Sequence, residues 1–357
     1  MNQLRWIRRA AIGGMLVIPL VTAGCGLFTE ETSAIDPPQD VVSESDAPTN
    51  AGSQVGQPDT AQEVQGEQTR LTVYLQNADG YLAPVSIPVA LGQDEQAGEK
   101  ALALMVEDGE YAAAIPSDFR ALLPKGTQIN SFTIDPEQKL AKVDFSESFV
   151  SYNAQDERPM VEAITWTLTA MSGIEQVELS VQGEKLAEMP VDSFPLDEPL
   201  TRSIGINLET ASGVTLSQST PVTLYFSSQT ADNEQYYVPV TRLIPRTDAP
   251  AEAAMEQLVS GPLNGSPLTA VVTPDFLVKN VEVNEGVATV DFEDSAYQAG
   301  DPIPQELLQA VILSVTENTE AKQVQIRLNG DSNIVDENNN SYNQPVERPH
   351  HVNALKS

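Results

Sequence analysis

Two aspartates stand in the same five-residue setting 147 positions apart, Asp144 in "AKVDF" (141–145) and Asp291 in "ATVDF" (288–292). A carboxylate pair is the one catalytic device that the composition leaves open. Glycosidase chemistry needs two such groups held roughly 5–9.5 Å apart across a cleft, one as acid and the other as base or nucleophile. The other usual constellations lack members, since the chain has two histidines, adjacent at His350 and His351, and one cysteine, Cys25. Ser-His-Asp and Cys-His sets and zinc sites with nitrogen or sulfur ligands are therefore not expected. No G-x-S-x-G, S-x-x-K, H-E-x-x-H, phosphate-loop or dinucleotide-loop motif occurs. The segment "NGDSNIVDENNNSYN" (329–343) gathers oxygen donors in Asp331, Asn333, Asp336 and Glu337. Counted from Asp331, however, the EF-hand places for Gly and for the bidentate acid hold Asp336 and Tyr342. It reads as an exposed polar loop, and neither a metal nor a cofactor is expected.

Whether the two aspartates can meet depends on the elements that carry them. Those elements occur twice. "LTVYLQ" (71–76) matches "VTLYFS" (222–227), "YLAPVS" (81–86) matches "YYVPVT" (236–241), and "IEQVELSVQG" (174–183) matches "AKQVQIRLNG" (321–330). A helical pattern over 98–109 matches one over 251–261, and "ERPMVEAITWTLTAM" (157–171) matches "IPQELLQAVILSVTE" (303–317), with Pro159 suited to a first turn. With the VDF runs and two further stretches this makes eight collinear matches. Each copy reads as strand, strand, helix, strand, strand, helix, strand and an extended arm. The predicted fold class is α+β: two tandem copies of a small mixed-sheet module with helices on one face, at 69–209 and 222–357, joined by a linker at 210–221.

The repeat changes the reading of the aspartates. A residue repeated with its module is there for the module, and each aspartate is expected to accept hydrogen bonds from the turn that follows its strand. The arms "PLTRSIGIN" (199–207) and "PVERPHHVN" (345–353) place Arg202 and Arg348 in matching positions, where each is expected to tie its arm to the acidic body of its own module. Arg242 has Ile87 as its counterpart, and this asymmetry marks it as a candidate surface contact for a partner of the second copy alone.

Nineteen basic against fifty-one acidic residues give a net charge of −32, which excludes nucleic acid as a partner. The chain opens with "MNQLRWIRR" and a twelve-residue apolar stretch, "AAIGGMLVIPLV", long enough for a secretory leader and short of the ~20 residues of a membrane span. "VTAGCG" follows and resembles a bacterial lipobox. Residues 1–24 are read as a lipoprotein signal peptide, Cys25 as the lipidated residue and membrane anchor, and residues 25–68, rich in Pro, Ser and acids, as a disordered tether. The expected location is the extracytoplasmic face of the cell membrane.

The lipobox, the acidic tether and two modules carrying "YYVPVTR", "LLPKGT", "KVDFS" and "TVDF" together resemble the GerM family of sporulation and germination lipoproteins, with tandem GerMN domains. That resemblance implies a non-enzymatic protein of the mother-cell membrane that assembles an envelope or channel complex facing the forespore. GerMN domains are similar to the ring-building motif of secretion systems, which adds a homo-oligomer to the expected partners. The other readings are an extracytoplasmic module that binds a wall glycan or peptide in an aromatic cleft around Tyr236 and Tyr237, and carboxylate-based wall hydrolysis.

Overall fold

The computed structural model describes residues 68–92 and 95–355, so the leader, Cys25 and the stretch to residue 67 lie outside the described residues. The first module runs β1 (Gln68–Asn77), β2 (Leu82–Ala90), α1 (Ala97–Leu104), β3 (Phe119–Arg120), β4 (Ile129–Asp135), β5 (Leu140–Phe145), α2 (Ala154–Thr169), β6 (Gln176–Val181) and β7 (Glu184–Lys185). A connection containing β8 (Glu209–Thr210) leads to the second. This contains β9 (Ser219–Gln229), β10 (Gln235–Pro245), α3 (Pro250–Ser260), β11 (Leu277–Asn284), β12 (Val287–Glu293), α4 (Gln305–Glu317), β13 (Gln323–Leu328) and β14 (Val346–Glu347). Among the described residues no helix is long and apolar enough to cross a membrane.

Each module divides its strands between two sheets. The hairpins β1–β2 and β9–β10 form one kind, and the mixed sheets β4-β5-β6-β7 and β11-β12-β13-β14 the other. In the mixed sheets β5 is antiparallel to β4 and parallel to β6, with β12 set likewise between β11 and β13. The helix between each parallel pair supplies the crossover that parallel strands require. Period-2 burial brings Val143 and Leu179 level on neighbouring strands, both buried, with Met160, Ile164 and Leu168 of α2 buried in the same apolar cluster. At the β11–β12 turn Glu285 and Gly286 both have positive φ, 52° and 81°, as a two-residue hairpin of matching twist needs. A bulge interrupts the ladder at matching places, between Ile129 and Ser131 and between Val278 and Asn280.

Helix α2 begins earlier than its sequence pattern suggested. Asn153 is its extended N-cap, and Asp156 and Glu157 occupy the first turn, where acidic groups suit the positive end of the helix dipole. Pro159 therefore lies inside the helix, not in its first turn.

The modules share one apolar cluster and fall in one compact unit. What joins them is a reciprocal clamp. Asn207 ends the first arm with φ 48°, and Asn353 ends the second with φ 56°, a conformation that asparagine tolerates. The Asn207 side chain accepts from Leu82 N–H at 2.8 Å and donates to the carbonyls of Leu82 and Pro239, each at 2.7 Å. Asn353 accepts from Tyr237 N–H at 2.8 Å and donates to the carbonyls of Tyr237 and Pro84 at 2.8 and 2.7 Å. Leu82 corresponds to Tyr237 and Pro84 to Pro239, so the two sets of bonds exchange under a pseudo-twofold rotation. Each arm also reaches the other module: Thr241 N–H donates to Ile206 and Ser86 N–H to Asn353. Gly205, at φ 78°, lets the first arm lie so close to β10 that a Cβ would stand 3.2 Å from Thr241.

Each asparagine makes three buried or half-buried hydrogen bonds, worth about 1 kcal/mol apiece. Asn207→Ala and Asn353→Ala should each lower the unfolding free energy by about 2–3 kcal/mol. The two losses should be similar, as read from urea denaturation of the full chain.

Candidate functional site

The helices α2 and α4 end at the seam, against β1 and β9. Tyr74 N–H donates to Thr167 Oγ1 at 2.9 Å, and Tyr225 N–H donates to Ser314 Oγ at 3.0 Å. These bonds make Thr167 and Ser314 equivalent, so the helices correspond at an offset of 147 rather than the 146 of the sequence match. On that register Thr169 matches Thr316 and Ala170 matches Glu317.

The arms then bring two arginines to these helix ends. Arg202 stacks on Trp166 at 4.4 Å and donates from Nε to Thr169 Oγ1 at 3.0 Å. Its Nη1 reaches both oxygens of Glu317, at 2.8 and 2.9 Å. Arg348 lies 5.4 Å from the Tyr225 ring centre. It donates to Leu313 O at 2.9 Å, Thr316 Oγ1 at 2.6 Å and the Tyr225 hydroxyl at 2.7 Å, and forms an ion pair with Glu317 at 2.9 Å. One carboxylate thus holds an arginine from each module. Arg202 is tied to its own module through Trp166 and Thr169, and its carboxylate partner comes from across the seam, because the first module has alanine where the second has Glu317.

Burial pulls the Glu317 carboxyl upward, and Arg202 and Arg348 together outweigh it and hold the group below its ordinary range. Burial raises the hydroxyls of Tyr225 and Tyr74, which stay neutral. Above the cluster opens a cavity of about 440 Å³, lined by both arginines with Thr169, Ala170, Thr316, Lys322, Glu347 and His350 among others.

The remaining candidates lie elsewhere. Asp144 and Asp291 sit in separate mixed sheets and do not form a pair. Asp144 accepts from Asn130 Nδ2 at 3.0 Å and Gly183 N–H at 2.7 Å, and Asp291 faces Arg327 at 3.7 Å. Their partners come from neighbouring strands and the turns beyond them, not from the turn that follows each strand. The reason is that both strands are central, flanked on each side by another. Arg242 is not a surface residue. It is 1 % exposed, pairs with Glu209 at 2.6 Å, and donates to Gly261 O at 3.0 Å beyond the end of α3. Its counterpart Ile87 is equally buried at 2 %, so the position points inward in both modules and the charge is satisfied internally.

Asp336 is also buried. Two backbone N–H groups, the Asn340 amide and the Tyr342 hydroxyl donate to it, so it organises its own loop. Glu157 plays a like part, accepting from the backbone of Val191, Asp192 and Phe194 and from the Tyr152 hydroxyl. Tyr236 is buried against Phe119 and accepts from Asn77, which leaves only Tyr237 half-exposed beside a polar cleft of about 480 Å³ in the second module. Among the described residues no group of three or more His, Cys, Asp or Glu side chains is placed to hold a metal ion.

Sequence reasoning did not single out Glu317, which has no repeated counterpart to mark it. It also passed over Asn207 and Asn353, although both matched arms end in asparagine.

Two interlocked α+β modules of one repeat, with a shared carboxylate and two asparagines at the seam, define a tandem-domain protein in architecture. The comparisons with known proteins narrow this. The family model Germane, described as "Sporulation and spore germination", matches residues 72–187 and 223–333. The chain is 35 % identical over 363 residues to the "Spore germination protein GerM" of Bacillus subtilis (strain 168), covering 97 % of this chain and 98 % of that protein. A solved structure of the tandem GerMN domains of the sporulation protein GerM from Bacillus subtilis matches with a TM-score of 0.75 and 33 % identity, over 80 % of this chain and 100 % of that one. This chain belongs to the GerM family.

Removing one member of a buried ion pair costs about 3–5 kcal/mol because the partner charge is left unmatched. Glu317→Ala should lose about that much, measured by urea denaturation. Because the folded carboxyl is held below its unfolded value of ~4.3, its contribution is complete above that pH and is lost as pH falls through the lowered folded value. The stability gap between the parent and Glu317→Gln should therefore be constant near neutrality and close progressively below about pH 5.

Proposed function

We propose that this chain is a membrane-anchored, non-enzymatic assembly protein acting in spore formation and germination. The observation that carries this reading is how its buried polar groups are used. Arg202, Glu317, Asn207 and Asn353 bond across the seam, and Arg348 pairs with the same carboxylate that Arg202 takes, so that the two modules are held in one fixed relation. A scaffold for other proteins needs that rigidity, since each immobilised surface lowers the ordering cost of binding. Its kinship to the spore germination protein GerM extends over nearly the whole of both chains, which supports a role in the same process. Attachment through a lipid on Cys25 follows from the leader and lipobox, and the acidic segment before β1 would hold the modules off an anionic membrane surface. The partners on this reading are envelope or channel-complex proteins between mother cell and forespore, with copies of this chain among them.

Deleting the gene should reduce the yield of heat-resistant spores or their germination, scored as colonies after heating and after exposure to germinants. A wild-type count on both assays would end the reading. Cys25→Ala should move the protein from the membrane pellet to the soluble fraction and reproduce the deletion defect; a protein that still pellets, or full complementation, would remove the anchor from the mechanism.

A further inference from the structure

We propose that the cavity over the Arg202–Glu317–Arg348 cluster is a binding site for a small carboxylate-bearing molecule. Both modules contribute matching walls to it, Arg202 and Thr169 from one, Arg348 and Thr316 from the other. The match fails where it bears on the arginines. Where the second module carries Glu317, the first carries Ala170, and Ala170 lines the cavity. Two guanidinium groups share a single carboxylate, and the position that the pseudo-symmetry assigns to a second one is open.

The arginines have donors to spare. A guanidinium offers five N–H groups in a planar fork that matches a carboxylate. Arg202 spends Nε and Nη1 on Thr169 and Glu317, and its Nη2 reaches only the Trp166 carbonyl at 3.5 Å. Arg348 spends both Nη groups on Leu313, Thr316, Tyr225 and Glu317, and its Nε has no partner among the described residues. Charge points the same way. Three basic side chains line the cavity, Arg202, Lys322 and Arg348, against one acidic, Glu347, in a chain whose net charge is −32. Counting Glu317 beneath the lining, basic groups still exceed acidic ones by three to two. Such a local reversal in an acidic protein gathers anions. The volume, about 440 Å³, suits a small molecule rather than a protein surface, since such sites span roughly 300–1,000 Å³.

The test is a titration of the full chain in detergent micelles with malonate, inorganic phosphate and neutral malonamide, read as heat of binding and as the shift in melting temperature. Malonate should bind and raise the melting temperature, phosphate should bind more weakly, and malonamide should do neither. Lys322→Ala, whose side chain is exposed, should weaken malonate binding by about fivefold, the effect of one partly screened charge. Ala170→Glu supplies the second carboxylate from within and should abolish malonate binding in a folded protein. The proposal is overturned if malonate gives no shift, if Ala170→Glu binds malonate as the parent does, or if phosphate binds more tightly than malonate. Should Ala170→Glu fail to fold, an unchanged malonate affinity in Lys322→Ala is enough to overturn it.

Discussion

Asparagine in a left-handed backbone conformation can turn its amide onto two strands at once, and the architecture of this protein depends on that being done twice. Asn207 and Asn353 each satisfy one strand through both its N–H and its carbonyl, and reach the other strand through a second carbonyl. Of the strands in question, β2 is the edge of its sheet and β10 is covered on that side by β8 only at Arg242 and Leu243, and their prolines, Pro84 and Pro239, have no N–H to offer. The clamp closes those edges within the molecule. It also fixes where each arm ends, and so carries Arg202 and Arg348 to the ends of α2 and α4.

The charge distribution follows from this placement. In a chain of −32, burying an arginine is less costly than burying a lysine would be, because its delocalised cation is weakly hydrated and its fork can be filled by several acceptors. Arg202, Arg242 and Arg348 each take several acceptors in that way, a carboxylate and a helix-end carbonyl among them, with an aromatic ring alongside. Glu317 has no symmetric twin, since Ala170 stands at the matching place. A pseudo-symmetric pair of modules has therefore become asymmetric at its centre, where one acid serves two cations and a cavity stands over them.

The family relationship rests on the whole tandem unit, and the structure shows why the two modules act as one: neither arm completes its own module's hydrogen bonding without the other. A pair of domains joined only by a flexible linker would present two independent surfaces. Here the relation between the surfaces is set by buried groups.

Much of this was legible in the residues. The repeat, the order of strands and helices in each copy, the α+β class and the family could be read because period-2 and period-3.6 apolar patterns are local, and recur in order. The VDF aspartates read as equivalent positions in two copies and do stand at matching places in separate sheets, while their hydrogen-bond donors were misplaced, because the donors come from strands and turns remote in sequence. Arg242 failed for a related reason. A charge opposite an isoleucine in the matching copy looks exposed in sequence, yet burial is set by the direction of the strand face, and that face points inward in both copies. By itself, then, the sequence determined the two modules and their kinship. The tertiary structure decided that their arms cross, that Arg202 and Arg348 share Glu317, and that a basic cavity opens between them, since partners 115 and 269 residues apart in the chain become neighbours only when both modules have folded and closed on each other.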